Sequence, residues 1–467
     1  MHFRSAILSK AIRNLAYLTV TWTVAVPNLV ATAQAQSGPI ANGPYTVSVF
    51  ASAPAGLTNP DDITVAEGDI FIGYQNKSQP DGTQGPSTVV RYSPAGKIIR
   101  TYSIAGKNDG LKYDPYTHKI WATRNEDANP ALTIIDPRSG TTTDYTFAQP
   151  PAHGGGYDDI LFLNGQAFIA ASNPVTQPPT ASTPNGQNIF PSVVKARLVG
   201  RKVFVTPVLY GNAPLIDIPT GATIVAQQSD PDSLKTDPSG DLVLDSQQDG
   251  DLIFLNNPGS PNQAGLRLHL TDGTSTQITV DDTVFPTASS GTILVADTPA
   301  DIVYAIKSDA YQPGGAYSAA STGTLVKVDL STGFVTPIIK GMQSPHGAFF
   351  IPAIPDVRLF RDGDISLHGG SLTAKFVVTR NGDFSNDVVV NYSVKDLSSE
   401  QNDDKVFTKT VTIPASKSDA EFTVPVTSIL ELFEDGITQS AIVKLEPGEG
   451  YNVVQPATAT VNLKKDF

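Results

Sequence analysis

The stretch DPDSLKTDPSGDLVLDSQQDGDLIFL, residues 230–255, decides the fold, because it contains short apolar segments separated by Asp, Pro and Gly. Short apolar runs bounded by such residues predict β-strands joined by tight turns. Asp232 stands directly before the first strand, at a position where an apolar residue would be more usual. A single carboxylate at this position indicates nothing about function, so the question is whether the same pattern recurs along the chain.

Six segments of the chain carry an Asp or a His just before an apolar strand. They are DDITV from Asp61, DGLKY from Asp109, DDILF from Asp158, DSLKT from Asp232, DTVFP from Asp282 and HGAFF from His346. Their spacings are 48, 49, 74, 50 and 64 residues, and TILVADTP is assigned as the second strand of the fifth repeat. Four short strands per repeat of about 50 residues predict a β-propeller.

Two of the steps between repeats are longer than the others. Residues 174–191 and residues 308–322 are interpreted as insertions that leave a blade and return to it. The sixth repeat lacks strands, and the segment at residues 44–52 is expected to close the ring as the outer strand of the last blade. We therefore predict six blades with a thin closing blade; five blades with an extra closing hairpin is the alternative.

The pattern changes near residue 356, where longer alternating strands such as LTAKFVVTRNG and DVVVNYSVKD begin. About seven such strands with polar turns predict an antiparallel β-sandwich. The expected domains are a signal peptide at 1–35, the propeller at 36–355 and the sandwich at 356–467. The fold class is therefore all-β.

The N-terminal residues are typical of an export signal. Residues 1–14 carry three basic residues and no acidic one, residues 15–26 are apolar, and Ala33 and Ala35 form an A-x-A pattern. A secretory signal peptide with this order is cleaved after the second small residue. We expect an exported protein, periplasmic or extracellular, without a membrane span in the mature chain, because a span needs about 20 apolar residues.

Composition excludes several classes of function. The chain of 467 residues has a net charge of −13 and a pI of about 4.8, which disfavours nucleic-acid binding because phosphates would be repelled. It has no Cys, which excludes disulfides, thiolate catalysis and zinc–thiolate sites. The sequence also has no G-x-S-x-G, P-loop or H-E-x-x-H motif.

The repeated position has an electrostatic consequence. The first strand of each propeller blade lines the central channel, so the six residues before these strands would form one ring. Two carboxylates about 6 Å apart repel by about 3 kcal/mol at an effective dielectric constant of ~20. A divalent cation would neutralise such a ring: carboxylates suit Ca²⁺ or Mg²⁺, and one His keeps Zn²⁺ or Mn²⁺ possible. An Asp before a strand can equally bond the next backbone N–H in an Asx-turn, so a shared turn is the alternative.

The predicted metal ligands of this ring are Asp61, Asp109, Asp158, Asp232, Asp282 and His346. Two histidines near it are candidate catalytic bases beside a metal-bound water. His346 belongs to the ring, and His153 lies in the glycine-rich segment PAHGGGYDD.

The C-terminal part resembles a Calx-β repeat over nearly its full length. The resemblance rests on FVVTRNGDFSNDVVVNYSVKD, VTIPASKSDAEFTVPV, LELFEDGITQSAIVKLEPGEGYNV and ATATVNL, in the family's order. Some Calx-β domains bind Ca²⁺ through acidic loops, and the matching positions here are Asp403, Asp404, Glu434 and Asp435. Two departures oppose such a site: the family's acidic residue near the domain start is replaced by HGGS, and KKDF follows the last strand.

The N-terminal part resembles, at the level of its repeats, the gluconolactonase/regucalcin-like and NHL-like propellers. The resemblance rests on units such as DSLKTDPSGDLVLDSQQDGDLIFL and TILVADTPADIVYAI. Its lactonase-like members hold a divalent metal on the channel axis with carboxylate and amide side chains and hydrolyse esters.

These observations predict a monomeric exported protein that binds a small molecule, or an extracellular protein or glycan, with a divalent cation, Ca²⁺, at the propeller axis. The alternative is a metal-dependent lactonase-like hydrolase or a lyase-like enzyme that uses the axial acidic ring.

Overall fold

The protein is built almost entirely from β-strands. A computed structural model describes residues 38–274, 277–368, 371–396, 406–425 and 439–463. The expected signal peptide at 1–35 lies outside these ranges, and so do Asp403, Asp404, Glu434 and Asp435. The helices in the described part are two 3-10 turns, Gln247–Asp249 and Thr298–Ala300, and none is long and apolar enough to pass through a membrane.

The first four blades follow the chain order. Strands β1 (Ile40–Ala41) and β2 (Thr46–Ser52) come first and join later blades. Blade 1 contains β3 (Pro60–Ala66), β4 (Asp69–Tyr74), β5 (Ser87–Tyr92) and β6 (Ile98–Ile104). Blade 2 contains β7 (Asn108–Asp114), β8 (Lys119–Arg124), β9 (Ala131–Ile135) and β10 (Thr142–Phe147). Blade 3 contains β11 (Ile160–Leu163), β12 (Gln166–Ala170), β13 (Pro191–Val199) and β14 (Lys202–Tyr210).

Blade 4 carries an additional hairpin on its outer edge. The hairpin consists of β15 (Pro214–Asp217) and β16 (Thr223–Val225), with β15 parallel to the outer strand of the blade. The blade itself contains β17 (Pro231–Thr236), β18 (Leu242–Ser246), β19 (Asp251–Asn256) and β20 (Ala264–His269). The 74-residue step therefore contains this hairpin as well as the insertion between β12 and β13.

The strands of blades 5 and 6 are interleaved in the sequence. The strands in sequence order are β21 (Val280–Val284), β22 (Gly291–Asp297), β23 (Ile302–Ser308), β24 (Ala316–Ala320), β25 (Thr324–Val328), β26 (Val335–Lys340) and β27 (Pro345–Pro352). Blade 5 has the order β21-β24-β25-β26, extended by β1, and blade 6 has the order β27-β22-β23-β2.

Two sequence interpretations are corrected by this interleaving. TILVADTP belongs to β22 of blade 6 and is not the second strand of blade 5. Residues 308–322 are not an excursion, because they contain β24, the second strand of blade 5. The sixth blade is therefore a full four-stranded sheet, and β2 closes it by antiparallel pairing with β23, as residues 44–52 were expected to do.

Two turns predicted from Pro and Gly in the sequence are present in the structure. The turns IDPRSG and DLSTGF place Gly140 and Gly333 at φ of 75°, a conformation that glycine adopts without the steric cost of a Cβ. At Gly333 a Cβ would also lie 1.8 Å from the carbonyl oxygen of His269. This glycine is needed both for the turn and for the close approach of the neighbouring blade.

The C-terminal strands form a sandwich of two four-stranded sheets within the described residues. They are β28 (Asp356–His368), β29 (Ser371–Asn381), β30 (Val388–Asp396), β31 (Val406–Ile413), β32 (Asp419–Pro425), β33 (Gln439–Glu446), β34 (Asn452–Val453) and β35 (Thr458–Leu463). One sheet has the order β32-β29-β28-β34, the other β31-β30-β33-β35. Alternate residues of β28, Val357 and Leu359, point into the shared core with Phe376, as a period of two requires.

Candidate functional site

The inner strands of the blades begin with a common irregularity. Pairing with the second strand breaks between Pro60 and Ile63 in blade 1, and between Pro231 and Leu234 in blade 4. The same two-residue bulge occurs in blades 2, 5 and 6. A β-bulge re-aims side chains that a regular strand would alternate. Each of these five blades therefore places two consecutive residues at the start of its inner strand, and Asp158 and Asp159 stand directly before the inner strand of blade 3.

The first bulge position supplies one titratable side chain per blade, and we call these six residues the outer tier. They are Asp61, Asp109, Asp158, Asp232, Asp281 and His346. All six line a cavity of about 390 Å³. Five of them belong to the predicted ring, and Asp281 occupies the position for which Asp282 was predicted, while Asp282 lines the same cavity. The pair Asp281–Asp282 was ambiguous because a strand alignment cannot show which residue a bulge turns toward the channel.

The second bulge position alternates around the ring. It is Asp in blades 1, 3 and 5 and Gly or Ser in blades 2, 4 and 6, and we call the three carboxylates Asp62, Asp159 and Asp282 the inner tier. Each accepts a hydrogen bond from a backbone N–H of the next blade. The distances are 2.7 Å from Leu111 to Asp62, 2.9 Å from Leu234 to Asp159 and 2.6 Å from Ala348 to Asp282. The inner tier thus ties the blades in pairs. Asp62 and Asp159 also accept from the next backbone N–H in their own loops, those of Ile63 and Ile160, which is the local bond of the Asx-turn alternative but at the neighbours of the predicted ring residues.

Two lysines partly neutralise the inner tier. Lys112 Nζ lies 3.3 Å from Asp159, and Lys235 Nζ lies 2.7 Å from Asp282. In blade 6 the corresponding position is Phe349, so the blade that precedes Asp62 in the ring supplies no lysine to it. Burial raises the pKa of Asp62 to about 8.

Three of the five outer-tier carboxylates are compensated by cations. Lys107 Nζ lies 2.8 Å from Asp109 Oδ1 and also contacts Glu126. His346 Nδ1 lies 2.8 Å from Asp281 Oδ2 and 3.4 Å from Asp61 Oδ1. Burial lowers the pKa of His346, but the two carboxylates outweigh burial and hold the pKa well above its usual range. His346 is therefore an imidazolium at neutral pH.

The other two outer-tier carboxylates lack an ion-pair partner among the described residues. In the described part of the chain, no ion pair involves Asp158 or Asp232. Burial raises the pKa of both carboxyls well above the usual range, and neighbouring carboxylates raise it further; for Asp232 these include Asp158. Two adjacent buried carboxyls of this kind retain a proton in the absence of a cation.

Further polar groups complete the lining of this cavity. Gln75 Nε2 donates to Asp61 Oδ2 at 2.7 Å and to Asp109 Oδ1 at 2.9 Å, which fixes two outer-tier carboxylates. Asp109 Oδ2 is buried and has no hydrogen-bond partner among the described residues. Three acidic residues from other loops also face the cavity and were not predicted: Glu126, Asp127 and Asp230. They could have been found from their position, because Glu126 and Asp127 follow the second strand of blade 2 and Asp230 precedes the inner strand of blade 4. The alignment of the repeats compared only the residue directly before each inner strand.

His153 lies apart from the outer tier. Its side chain is 1% exposed, its Nε2 contacts the carbonyl oxygen of Gly156 at 2.6 Å, and its ring packs edge-on against Tyr157. Burial lowers its pKa, and it does not line the acidic cavity. The structure therefore does not bring the two candidate histidines together.

A second cluster of possible ligands joins the propeller to the sandwich. Among the described residues, Glu67, His118 and Asp419 are three groups whose ligand atoms lie within 4.8 Å of one another. Arg138 occupies this cluster, with Nε 3.0 Å from Glu67 and Nη2 2.8 Å from Asp419. The cluster is therefore an ion-pair network centred on a guanidinium.

Solved structures match the chain at low identity. A putative gluconolactonase shares 9% identity at a TM-score of 0.39, covering 82% of this chain and 94% of that chain. Virginiamycin B lyase from Staphylococcus aureus shares 11% identity at a TM-score of 0.35, covering 81% of this chain and 99% of that chain. The CBD1 domain of Calx shares 20% identity at a TM-score of 0.18, covering 24% of this chain and 98% of that chain.

No family model and no curated protein matches the sequence. Because the TM-scores of the three structures are below 0.5, the strand order described above is what assigns the propeller and the sandwich: this chain is a six-bladed β-propeller followed by a β-sandwich.

Proposed function

We propose that the propeller binds a divalent cation, Ca²⁺ in the first place, in its acidic cavity, and that the exported protein uses this site to hold a ligand or partner. The observation that carries the proposal is the uncompensated pair Asp158–Asp232. A divalent cation that replaces the retained proton would remove the repulsion between these carboxylates and the cost of burying them.

The donor set supports a hard cation. Nearly all groups that face the cavity offer oxygen atoms, and Ca²⁺ takes 6–8 oxygen ligands in flexible geometry. The buried, unpartnered Oδ2 of Asp109 is a further oxygen available on the same wall. A bound ion would fill a small part of about 390 Å³, which leaves room for a second ligand.

Binding is favoured over catalysis by the state of the two histidines. His346 is held as an imidazolium by Asp281 and Asp61 and is not a base. The Nε2–H of His153 donates to the carbonyl oxygen of Gly156 in its own loop, away from the acidic cavity. Neither supports the general-base role that the hydrolase alternative needs.

The proposal is tested by titrating Ca²⁺ into EDTA-treated full-length protein, with calorimetry and thermal unfolding as readouts. At a free Ca²⁺ concentration of 100 times Kd, we expect an increase of about 2.7 kcal/mol in the free energy of unfolding. Asp232→Asn should lower the affinity at least about tenfold, because it removes one of two adjacent carboxylate ligands. Asp329→Asn, in an exposed turn where Asp329 accepts from Ser331, is the matched control and should behave as wild type.

Two results would contradict the proposal. One is the absence of heat and of thermal stabilisation at millimolar Ca²⁺. The other is an unchanged affinity in the Asp232→Asn variant.

A further inference from the structure

A second cavity lies at the other end of the inner strands, between the propeller and the sandwich. Its volume is about 720 Å³, and inner strands of all six blades contribute to its wall together with strands of the sandwich. This size is within the range of pockets for small organic ligands. Its lining is largely apolar and includes Leu163, Phe285 and Phe349, in contrast to the acidic cavity.

One face of β28 forms the roof of this cavity. Asp356, Arg358 and Phe360 alternate with the core residues Val357 and Leu359, and all three line the cavity. A strand with one face in the sandwich core presents the other face to the propeller.

The two outer members of this face are anchored on opposite sides of the ring. Asp356 Oδ2 accepts a hydrogen bond of 2.5 Å from Thr287, which follows the inner strand of blade 5. The ring of Phe360 packs edge-on against Tyr116 of blade 2, with ring centroids 4.8 Å apart. Since blades 2 and 5 face each other across a six-bladed ring, Arg358 is held between the anchors, over the channel mouth.

The guanidinium of Arg358 is incompletely bonded. Its Nε donates to the carbonyl oxygen of Gln455 at 3.1 Å, and the described residues provide no hydrogen bond to its Nη atoms. Its side chain keeps accessible surface although burial lowers its pKa. This combination is expected of a side chain that faces a cavity. By contrast, Arg380 on the same wall bonds four backbone carbonyls with its three nitrogen atoms.

The cavity wall carries charges of both signs. Lys112 and Lys235 reach the cavity from the propeller side, where each is paired with an inner-tier carboxylate. On the roof, Asp356 lies close enough to Arg358 to interact with its charge. The capacity of this wall to bind an anion therefore lies with the Nη atoms of Arg358, which have no hydrogen-bond partner among the described residues. An Arg fork pairs best with a planar carboxylate or a comparable oxyanion.

We propose that this cavity binds a small carboxylate with an apolar body, its carboxylate paired with the Nη atoms of Arg358 and its body packed on Phe285 and Phe349. The site is separate from the acidic cavity and does not depend on a bound cation.

The test uses 4-fluorobenzoate as the probe and ¹⁹F NMR of the full-length protein in EDTA. We expect the wild type to bind 4-fluorobenzoate at least about tenfold more tightly than neutral 4-fluorobenzamide, because the charge-assisted pair is lost with the amide. Arg358→Gln should abolish this preference, and Arg358→Lys should keep part of it because one charge remains without the fork. Arg100→Gln, whose guanidinium lies over Tyr102 on the outside of blade 1, is the control.

Three outcomes would overturn the inference. The first is no binding of 4-fluorobenzoate up to about 10 mM, a limit near 3 kcal/mol of binding free energy. The others are equal binding of 4-fluorobenzamide and unchanged binding of 4-fluorobenzoate by the Arg358→Gln variant.

Sulfate distinguishes the chemistry of the ligand. If sulfate binds as tightly as 4-fluorobenzoate, the apolar body contributes nothing and the proposed ligand class is wrong. The comparison of the two probes needs no mutation, so it stands even if Arg358→Gln does not fold.

Discussion

Asp232 shows how a buried carboxyl couples folding to protonation. Its carboxyl is buried beside Asp158, so the folded protein holds protons that the unfolded chain releases above its usual carboxyl pKa. The same sign applies to Asp230, where burial raises the pKa to about 6, and to Asp109, where burial raises it to about 7. A carboxyl whose pKa is higher in the folded state makes the fold less stable as pH rises from its unfolded pKa to its folded pKa.

We therefore expect the free energy of unfolding of EDTA-treated protein to fall as pH rises from about 4 to about 8, by about 1.4 kcal/mol per unit of pKa shift for each group that ionises alone. Asp232→Asn should flatten this decline, because an amide at 232 stays neutral and can donate to Asp158. Urea unfolding at several pH values, with and without Ca²⁺, measures the slopes. A wild-type stability that rises over this interval would contradict the assignment of raised pKa values.

At the level of strands, the local sequence predicts where the inner strands begin but not how the strands pair. The six inner strands were predictable because each repeats the same acidic or imidazole step before an apolar run. The bulge was not, so Asp282 was placed where Asp281 lies. The interleaving of blades 5 and 6 was not predictable either, because β22 pairs with β27 about 50 positions later while its own sequence fits either blade equally well.

The glycine at the second bulge position of blade 2, Gly110, allows a test of how closely neighbouring blades pack. A Cβ on Gly110 would lie 2.5 Å from the Cα of Asp159 in the next blade, and the backbone there offers no flexible side-chain end that could move aside. Gly110→Ala should destabilise the protein by about 1–3 kcal/mol, the usual cost of overpacking, or more. Chemical denaturation measures the change.

Gly38→Ala is the control, because no atom lies within 4 Å of its added Cβ and its φ is not in the left-handed region. If Gly110→Ala were as stable as Gly38→Ala, the blades would not be packed as closely at the inner tier as the structure shows.

For the whole molecule, the contacts between propeller and sandwich decide whether the two unfold together. Arg138 pairs with Glu67 of the propeller and Asp419 of the sandwich, and Phe360 packs on Tyr116. Exposed ion pairs contribute about 0–1 kcal/mol, whereas a buried Phe truncated to Ala costs about 3–5 kcal/mol. The ring contact should therefore carry most of the coupling, with the ion pairs fixing the orientation.

We expect the wild type to unfold in one calorimetric transition and the double variant Arg138→Gln/Phe360→Ala to unfold in two, because the sandwich then loses its main attachments while its own core remains. Arg197→Gln/Phe204→Ala is the matched control: it removes an Arg and a Phe that contact each other at 4.8 Å on the outer strands of blade 3 and leaves the sandwich untouched. That control should retain a single transition. Two transitions already present in the wild type, or one transition in the double variant, would show that the contacts of Arg138 and Phe360 do not couple the two domains.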